Sequence, residues 1–126
     1  MVLVVEDDRP VGELLAAAIS DEPGYRAIHV TDASAAMEAA QDVTPDLFVL
    51  DVRLPGMSGL ELYDRLRRDE RTKNIPVLFE TGADIPGAEF RKRGVVAYLK
   101  KPFDLHEVVR YVKLLATRRQ LAQPRP

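Results

Sequence analysis

Five polar side chains stand where apolar runs of this sequence give out. Glu6 and Asp7 follow Val2-Leu3-Val4-Val5, Asp51 closes the run DLFVLD at 46 to 51, Thr81 comes after Ile75 to Phe79, and Lys101 comes after Val95 to Leu99. They are three acids, one hydroxyl and one amine. Singly, each has an ordinary explanation: an acid after a strand caps a helix, as Asp8 is read to do, and a loop lysine is solvated. Brought to one end of a sheet, they become chemistry. Two carboxylates about 4 Å apart repel by ~4 kcal/mol at an effective dielectric near 20, so such a cluster persists only beside a cation or with a raised pKa. Lys101 supplies one positive charge and a divalent ion would supply two. Oxygen donors, with no histidine or cysteine nearby, favour Mg²⁺ or Mn²⁺ over zinc. A hydroxyl and an ammonium facing that metal suit a transferring phosphoryl group, whose catalysis is mainly positioning and charge neutralisation.

The elements that must position these groups alternate between short strands and amphipathic helices. Val2 to Val5 is a β-branched-rich run of the kind buried on both faces. Val11, Leu14, Leu15, Ala18 and Ile19 follow at helical spacing, with Asp8 as N-cap and Pro10 in the first turn. Arg26 to Val30 reads as a more polar edge strand. Ala33, Ala36, Met37 and Ala40 make a second helix face. Asp46 to Asp51 is the third strand, and Ser58 caps a helix carrying Leu62, Tyr63 and Leu66. Ile75 to Phe79 is the fourth strand, ending at Glu80-Thr81-Gly82. A short helix falls near Ala88 to Arg93, crowded by Pro86-Gly87. Val95 to Leu99 is the fifth strand. Asp104 and Glu107, spaced as a capping box, open a last helix with Leu105, Val108, Val109, Val112 and Leu115 on one side. Five such units without an internal repeat predict an α/β fold, a mostly parallel sheet with helices on both faces. Such sheets place ligand sites at the carboxyl ends of their strands, which is where the five polar residues stand.

Composition removes other classes. The chain has 126 residues, enough for one domain, of which about two thirds of the unfolded surface could be buried. It has no cysteine, which excludes disulfides, cysteine-zinc sites and thiol chemistry. Its net charge of -2 offers no basic field for nucleic acid. The longest apolar run, Leu14 to Ile19, is too short to span a bilayer, and no signal-like segment precedes the first strand. A single cytoplasmic domain is expected. The basic clusters Arg65 to Arg71 and Arg91 to Arg93 are interspersed with acids and read as solvated helix ends. His29 and His106 are isolated and read as surface residues.

Four motifs in order, VLVVEDD (2–8), DLFVLDVRLPGMSGLEL (46–62), PVLFETG (76–82) and AYLKKPF (97–103), cover nearly the whole chain. With them the sequence resembles the receiver domain of two-component response regulators. The resemblance implies a flavodoxin-like, doubly wound five-stranded sheet in the order 2-1-3-4-5. It makes Asp51 the phosphoacceptor, Asp7 the direct Mg²⁺ ligand, Glu6 an acid holding the metal through water, and the carbonyl of Arg53 the backbone ligand. Thr81 matches the switch hydroxyl, Gly82 the neighbouring phosphate-binding N–H, Lys101 the lysine that pairs with Asp51 and then with phosphate, and Tyr98 the aromatic that changes rotamer. Pro102 matches the proline preceded by a cis peptide. The implied donor is a phosphohistidine on a sensor histidine kinase or a histidine phosphotransfer protein, and a homodimer is compatible with this reading. The domain would be a switch that catalyses its own modification, not a metabolic enzyme.

Two departures from the family pattern stand out. The stretch from Thr81 to Lys101 is slightly short and carries Pro86-Gly87, so its helix is expected to span at most two turns and the segment to be short, displaced or mobile. Arg53 lies two residues after Asp51, and Ala83 two after Thr81, bordering the path of the hydrolytic water in the family. Rivals are weaker. Dehalogenase-type phosphatases need a second aspartate where Arg53 stands, and a flavin loop would meet repulsion from Glu6-Asp7-Asp8. A phosphorylation-independent interaction module on the same fold is the remaining alternative. Residues 1–119 are read as the receiver and 120–126 as a polar tail or the start of a linker. That leaves no room for an effector: the chain is either a single-domain regulator acting through a partner or one part of a longer protein.

Overall fold

A computed structural model describes residues 1–82, 87–95 and 97–122, with the helix backbone alone described for 118–122. Five strands alternate with five helices: β1 (Val2–Val5), α1 (Arg9–Ser20), β2 (Ala27–Val30), α2 (Ala33–Asp42), β3 (Leu47–Asp51), α3 (Gly59–Arg68), β4 (Val77–Thr81), α4 (Gly87–Lys92), β5 (Ala97–Lys100) and α5 (Leu105–Ala122). The strands are parallel in the order β2-β1-β3-β4-β5. β1 and β3 are buried at every residue, as their unbroken apolar runs require. β2 is half-buried throughout, as an edge strand should be.

Side-chain alternation divides the interior into two layers. Leu3, Val5, Phe48, Leu50 and Phe79 point to one face with α2, α3 and Phe90 of α4. Val2, Val4, Leu47, Val49 and Leu78 point to the other, against Leu15 and Ile19 of α1 and Val108, Val112 and Leu115 of α5. Helix starts are set by side chains that accept orphan N–H groups. Asp8 Oδ1 accepts from Val11 N–H at 3.3 Å, Asp32 Oδ1 from Ala35 N–H at 2.7 Å, and Ser58 Oγ from Glu61 N–H at 3.2 Å. Asp104 Oδ1 accepts from His106 N–H at 2.8 Å at the start of α5. Arg65, Arg67 and Arg68 sit in the last turn of α3, where the helix dipole favours cations.

Two boundaries differ in ways that matter for the site. β4 starts at Val77 and runs through Thr81, two residues beyond the Phe79 that ends its apolar pattern. Backbone pairing continues there regardless of side-chain polarity: Asp51 aligns with Glu80, Glu80 with Leu99, and Thr81 with Lys100. α5 runs to Ala122, past the boundary read at residue 119. α4 has six residues, less than two turns, and its one buried side chain is Phe90. That ring belongs to a row, Tyr63–Phe79–Phe90–Tyr98, with centroids 5.5, 5.3 and 4.4 Å apart. Arg93 just beyond α4 pairs with Asp64 of α3 at 3.1 Å and with Glu89 at 2.8 Å. These pairs are only partly buried and still meet water, so each is worth about 1 kcal/mol and the ring dominates the docking of α4. The expectation of a displaced or mobile segment falls in part on 83–86, outside the described residues.

Candidate functional site

The carboxyl ends of β1, β3, β4 and β5 converge. Glu6 follows β1, Asp51 ends β3, Glu80 and Thr81 end β4, and Lys101 follows β5. Glu6, Asp51, Glu80 and Thr81 are all buried. Carboxylate oxygens of Glu6, Asp51 and Glu80 lie within 4.8 Å of one another. Lys101 is the cation among them: its Nζ donates to Glu6 Oε1 at 2.7 Å and to Asp51 Oδ2 at 3.3 Å, and stands 3.3 Å from Glu80 Oε2. The loops add backbone donors, from Arg53 N–H to Asp51 Oδ1 at 3.0 Å and from Asp8 N–H to Glu6 Oε2 at 3.4 Å. Lys101 N–H donates to the Thr81 carbonyl at 2.7 Å, tying the β5 loop to β4.

Three carboxylates around one ammonium are unevenly served. Burial, then the bond shared with Asp51, pushes the Glu6 carboxyl up to about 9 against the pull of Lys101. Burial, then the charge of Asp51, pushes Glu80 up to about 7. For Lys101, burial works against the charge, but the bond to Glu6 and the charges of Glu80, Asp51 and Glu6 outweigh it and hold the ammonium above the ordinary lysine range. Neither buried oxygen of Glu80 accepts a hydrogen bond among the described residues. An oxygen-only cluster with underserved carboxylates is the donor set a hard divalent cation takes.

The predicted residues fall into two groups. Glu6, Asp51 and Lys101 are in direct contact, with Thr81 beside them at the end of β4. Gly82 backs onto the lysine stem, since a Cβ there would lie 3.7 Å from Lys101 Cδ. Asp7 and Arg53 are exposed, outside the buried acid set, with Arg53 joined to it through its N–H. Tyr98 is 47% exposed on β5 and stacks on Phe90. The Lys101–Pro102 peptide is cis.

Two residues escaped the sequence reading. Glu80 is the third buried carboxylate. The available signal was period two: it shares a sheet face with Leu78, so a charge there breaks an apolar face. His29 is not an ordinary surface residue. Its Nε2 is 2.7 Å from the Glu6 carbonyl, and its ring lies against α1, where a Cβ on Gly12 would fall 2.0 Å away. The glycine in the middle of an amphipathic helix was the sign of that close approach.

Residues 2–113 match the family model described as the response regulator receiver domain. The chain is 35% identical over 119 residues to the phosphate regulon transcriptional regulatory protein PhoB of Pseudomonas aeruginosa, covering 93% of this chain and 52% of that protein. It is 38% identical over 121 residues to the probable transcriptional regulatory protein TcrX of Mycobacterium tuberculosis, covering 93% and 50%. It thus spans about half the length of these curated relatives. A crystal structure of a putative response regulator from Chloroflexus aurantiacus superposes with a TM-score of 0.83 at 32% identity, covering 93% of this chain and 97% of that one. Sheet order and sequence agree, and the chain belongs to the response regulator receiver domain family.

Proposed function

We propose that this receiver accepts a phosphoryl group on Asp51. The observation that carries the reading is a buried aspartate at the end of the central strand, oriented by the Arg53 N–H and held 3.3 Å from a lysine ammonium. The donor is a phosphohistidine on a sensor histidine kinase or a histidine phosphotransfer protein. The Asp51 carboxylate forms a bond to phosphorus as the phosphorus–nitrogen bond breaks. Lys101, the Thr81 hydroxyl and the Gly82 N–H then bind phosphoryl oxygens. Mg²⁺, or Mn²⁺ in its place, would be held by Asp7, Asp51, the Arg53 carbonyl and, through water, Glu6. When bound it neutralises charge on the phosphoryl oxygens. Thr81 moving toward the phosphoryl group lets Tyr98 leave its outward position on Phe90 and turn in, shifting the population of the surface formed by α4, β5 and α5. Residues 1–119 form this unit, and 120–126 form a tail or linker start whose first three residues continue α5.

Mass spectrometry after incubation with Mg²⁺ and a small phosphodonor tests this. A phosphoryl adduct is expected on the wild type and not on Asp51→Asn. No adduct with any donor would leave the phosphorylation-independent interaction module as the better reading. Arg53 offers a finer prediction. Its guanidinium is exposed two residues from the phosphoacceptor and would shield the aspartyl phosphate. Arg53→Asn is expected to speed dephosphorylation on the order of threefold, the effect of a contact worth under about 1 kcal/mol. An unchanged rate of phosphate release would remove Arg53 from the account.

A further inference from the structure

The pocket holds one carboxylate more than the proposed chemistry uses. Glu80 is fully buried, lies in register between Asp51 on β3 and Leu99 on β5, and continues the face that Leu78 buries against Leu47 and Val49. An apolar side chain would fit that pattern. A carboxylate buried there is costly unless a cation serves it. Neither of its oxygens accepts a hydrogen bond among the described residues, although Lys101 Nζ stands 3.3 Å from Oε2, and one of them lies within 4.8 Å of an oxygen of each of Glu6 and Asp51. Among the described residues its one cationic neighbour is Lys101, which stands 2.7 Å from Glu6 and 3.3 Å from both Glu80 and Asp51, so the two glutamates together outnumber the aspartate around the ammonium.

We propose that Glu80 is a positioning residue that holds the Lys101 ammonium on the glutamate side of the pocket and adds a fourth carboxylate to the cation site, so that the domain binds divalent cation more tightly and keeps its aspartyl phosphate more briefly. This rests on the phosphoacceptor reading of Asp51. The charge count gives the direction. Once an entering cation has displaced their protons, Glu6, Asp7, Asp51 and Glu80 stand against one lysine, leaving three negative charges, which the divalent cation reduces to one. Phosphorylation turns the Asp51 monoanion into a dianion and restores a second. With an uncharged residue at position 80, the loaded pocket is neutral before transfer and singly negative after it. Lys101 must also leave two glutamates to reach the phosphoryl oxygens. Glu80 thus favours cation uptake and disfavours the phosphorylated state. In hydrolysis, a water oxygen bonds to phosphorus as the bond from phosphorus to the Asp51 oxygen breaks; one of the water's protons stays on the departing phosphate, the other goes to that phosphate or to solvent, and the carboxylate is restored.

The test uses Glu80→Gln, which keeps the shape, Glu80→Leu, which completes the apolar face, and Glu80→Asp, which keeps the charge. Calorimetric titration of the metal-free proteins with magnesium chloride at mildly alkaline pH should show the Gln and Leu variants binding about fivefold more weakly, as expected for one charge in a partly screened pocket. The Asp variant should recover part of that loss. After loading from a small phosphodonor, the phosphoryl half-life should lengthen by a similar factor in the Gln and Leu variants. An unchanged cation affinity or an unchanged half-life overturns the proposal. If the wild type takes up no phosphoryl group, the phosphoacceptor reading fails, while the calorimetric titration still decides whether Glu80 serves the cation.

Discussion

Without divalent cation, the domain is expected to lose stability steadily as pH rises from about 4.5 toward about 9. The unfolded chain releases the protons of Glu6 and Glu80 near the ordinary value of 4.5, whereas the folded pocket holds them up to about 9 and about 7. Between those limits the folded state binds more protons, so stability falls with pH by about 1.4 kcal/mol per unit for each extra proton. The contribution is complete below 4.5, where both states are protonated, and is lost once pH passes the folded value. Lys101 stays charged in both states across this window and adds no slope. The summed loss is a large share of the stability of a small domain. Urea denaturation at several pH values measures it. Saturating Mg²⁺ should flatten the profile, and so should Glu6→Gln combined with Glu80→Gln. A metal-free profile that is flat or rises with pH would contradict the electrostatics given for this pocket.

Gly59→Ala should damage fold and site together. Gly59 opens α3 and donates its N–H to the Val52 carbonyl at 2.7 Å. A Cβ there would lie 2.1 Å from the Asp51 carbonyl oxygen and 2.9 Å from both the Asp51 carbonyl carbon and Val52 Cα. These are backbone atoms of the central strand and its exit, so no side chain can swing aside. Either α3 lifts off or the end of β3 moves, at about 3 kcal/mol. Because the moving peptide carries Asp51, phosphorylation of the molecules that remain folded should slow by about tenfold to a hundredfold, as misplaced reacting groups do. Gly82→Ala is the control: among the described residues its added methyl meets only the Lys101 stem, at 3.7 Å, and stability should change by less than about 0.5 kcal/mol. Equal effects at the two glycines would mean that contact with β3 is not what requires Gly59.

What could be read from the residues alone follows from how each signal arises. The strands β1 and β3 announce themselves because they are buried on both faces and so are unbroken apolar runs, β3 up to the Asp51 that closes it. Their ends place Glu6 and Asp51, and the alternation with helices puts those ends together. The caps at Asp8 and Ser58 were legible because capping is a local bargain between one side chain and one N–H. β4 was misplaced at its end because side-chain polarity marked its limit at Phe79 while backbone pairing to β5 carried it through Thr81. The same limit hid Glu80, given no role at the strand's end when it is a paired strand residue facing the pocket. His29 was missed for a related reason: nothing in its own neighbourhood in sequence says that Gly12 and the Glu6 carbonyl meet its ring. Residues whose roles depend on partners far along the chain are the ones a single sequence conceals.

The row of rings from α3 to β5 also makes the domain its own optical probe. The chain has no tryptophan, four tyrosines and four phenylalanines, so its near-ultraviolet signal is free of indole. Of those tyrosines, Tyr63 is buried between the Arg67 guanidinium and Phe79, and Tyr98 lies open to water against Phe90. One phenol therefore absorbs and emits from a fixed, dry environment and the other from a wet one at the end of the same row. A turn of Tyr98 unstacks it from Phe90 and changes its solvation while Tyr63 keeps its place as an internal reference. Tyrosine emission and circular dichroism can then follow the β5 surface in the unlabelled protein.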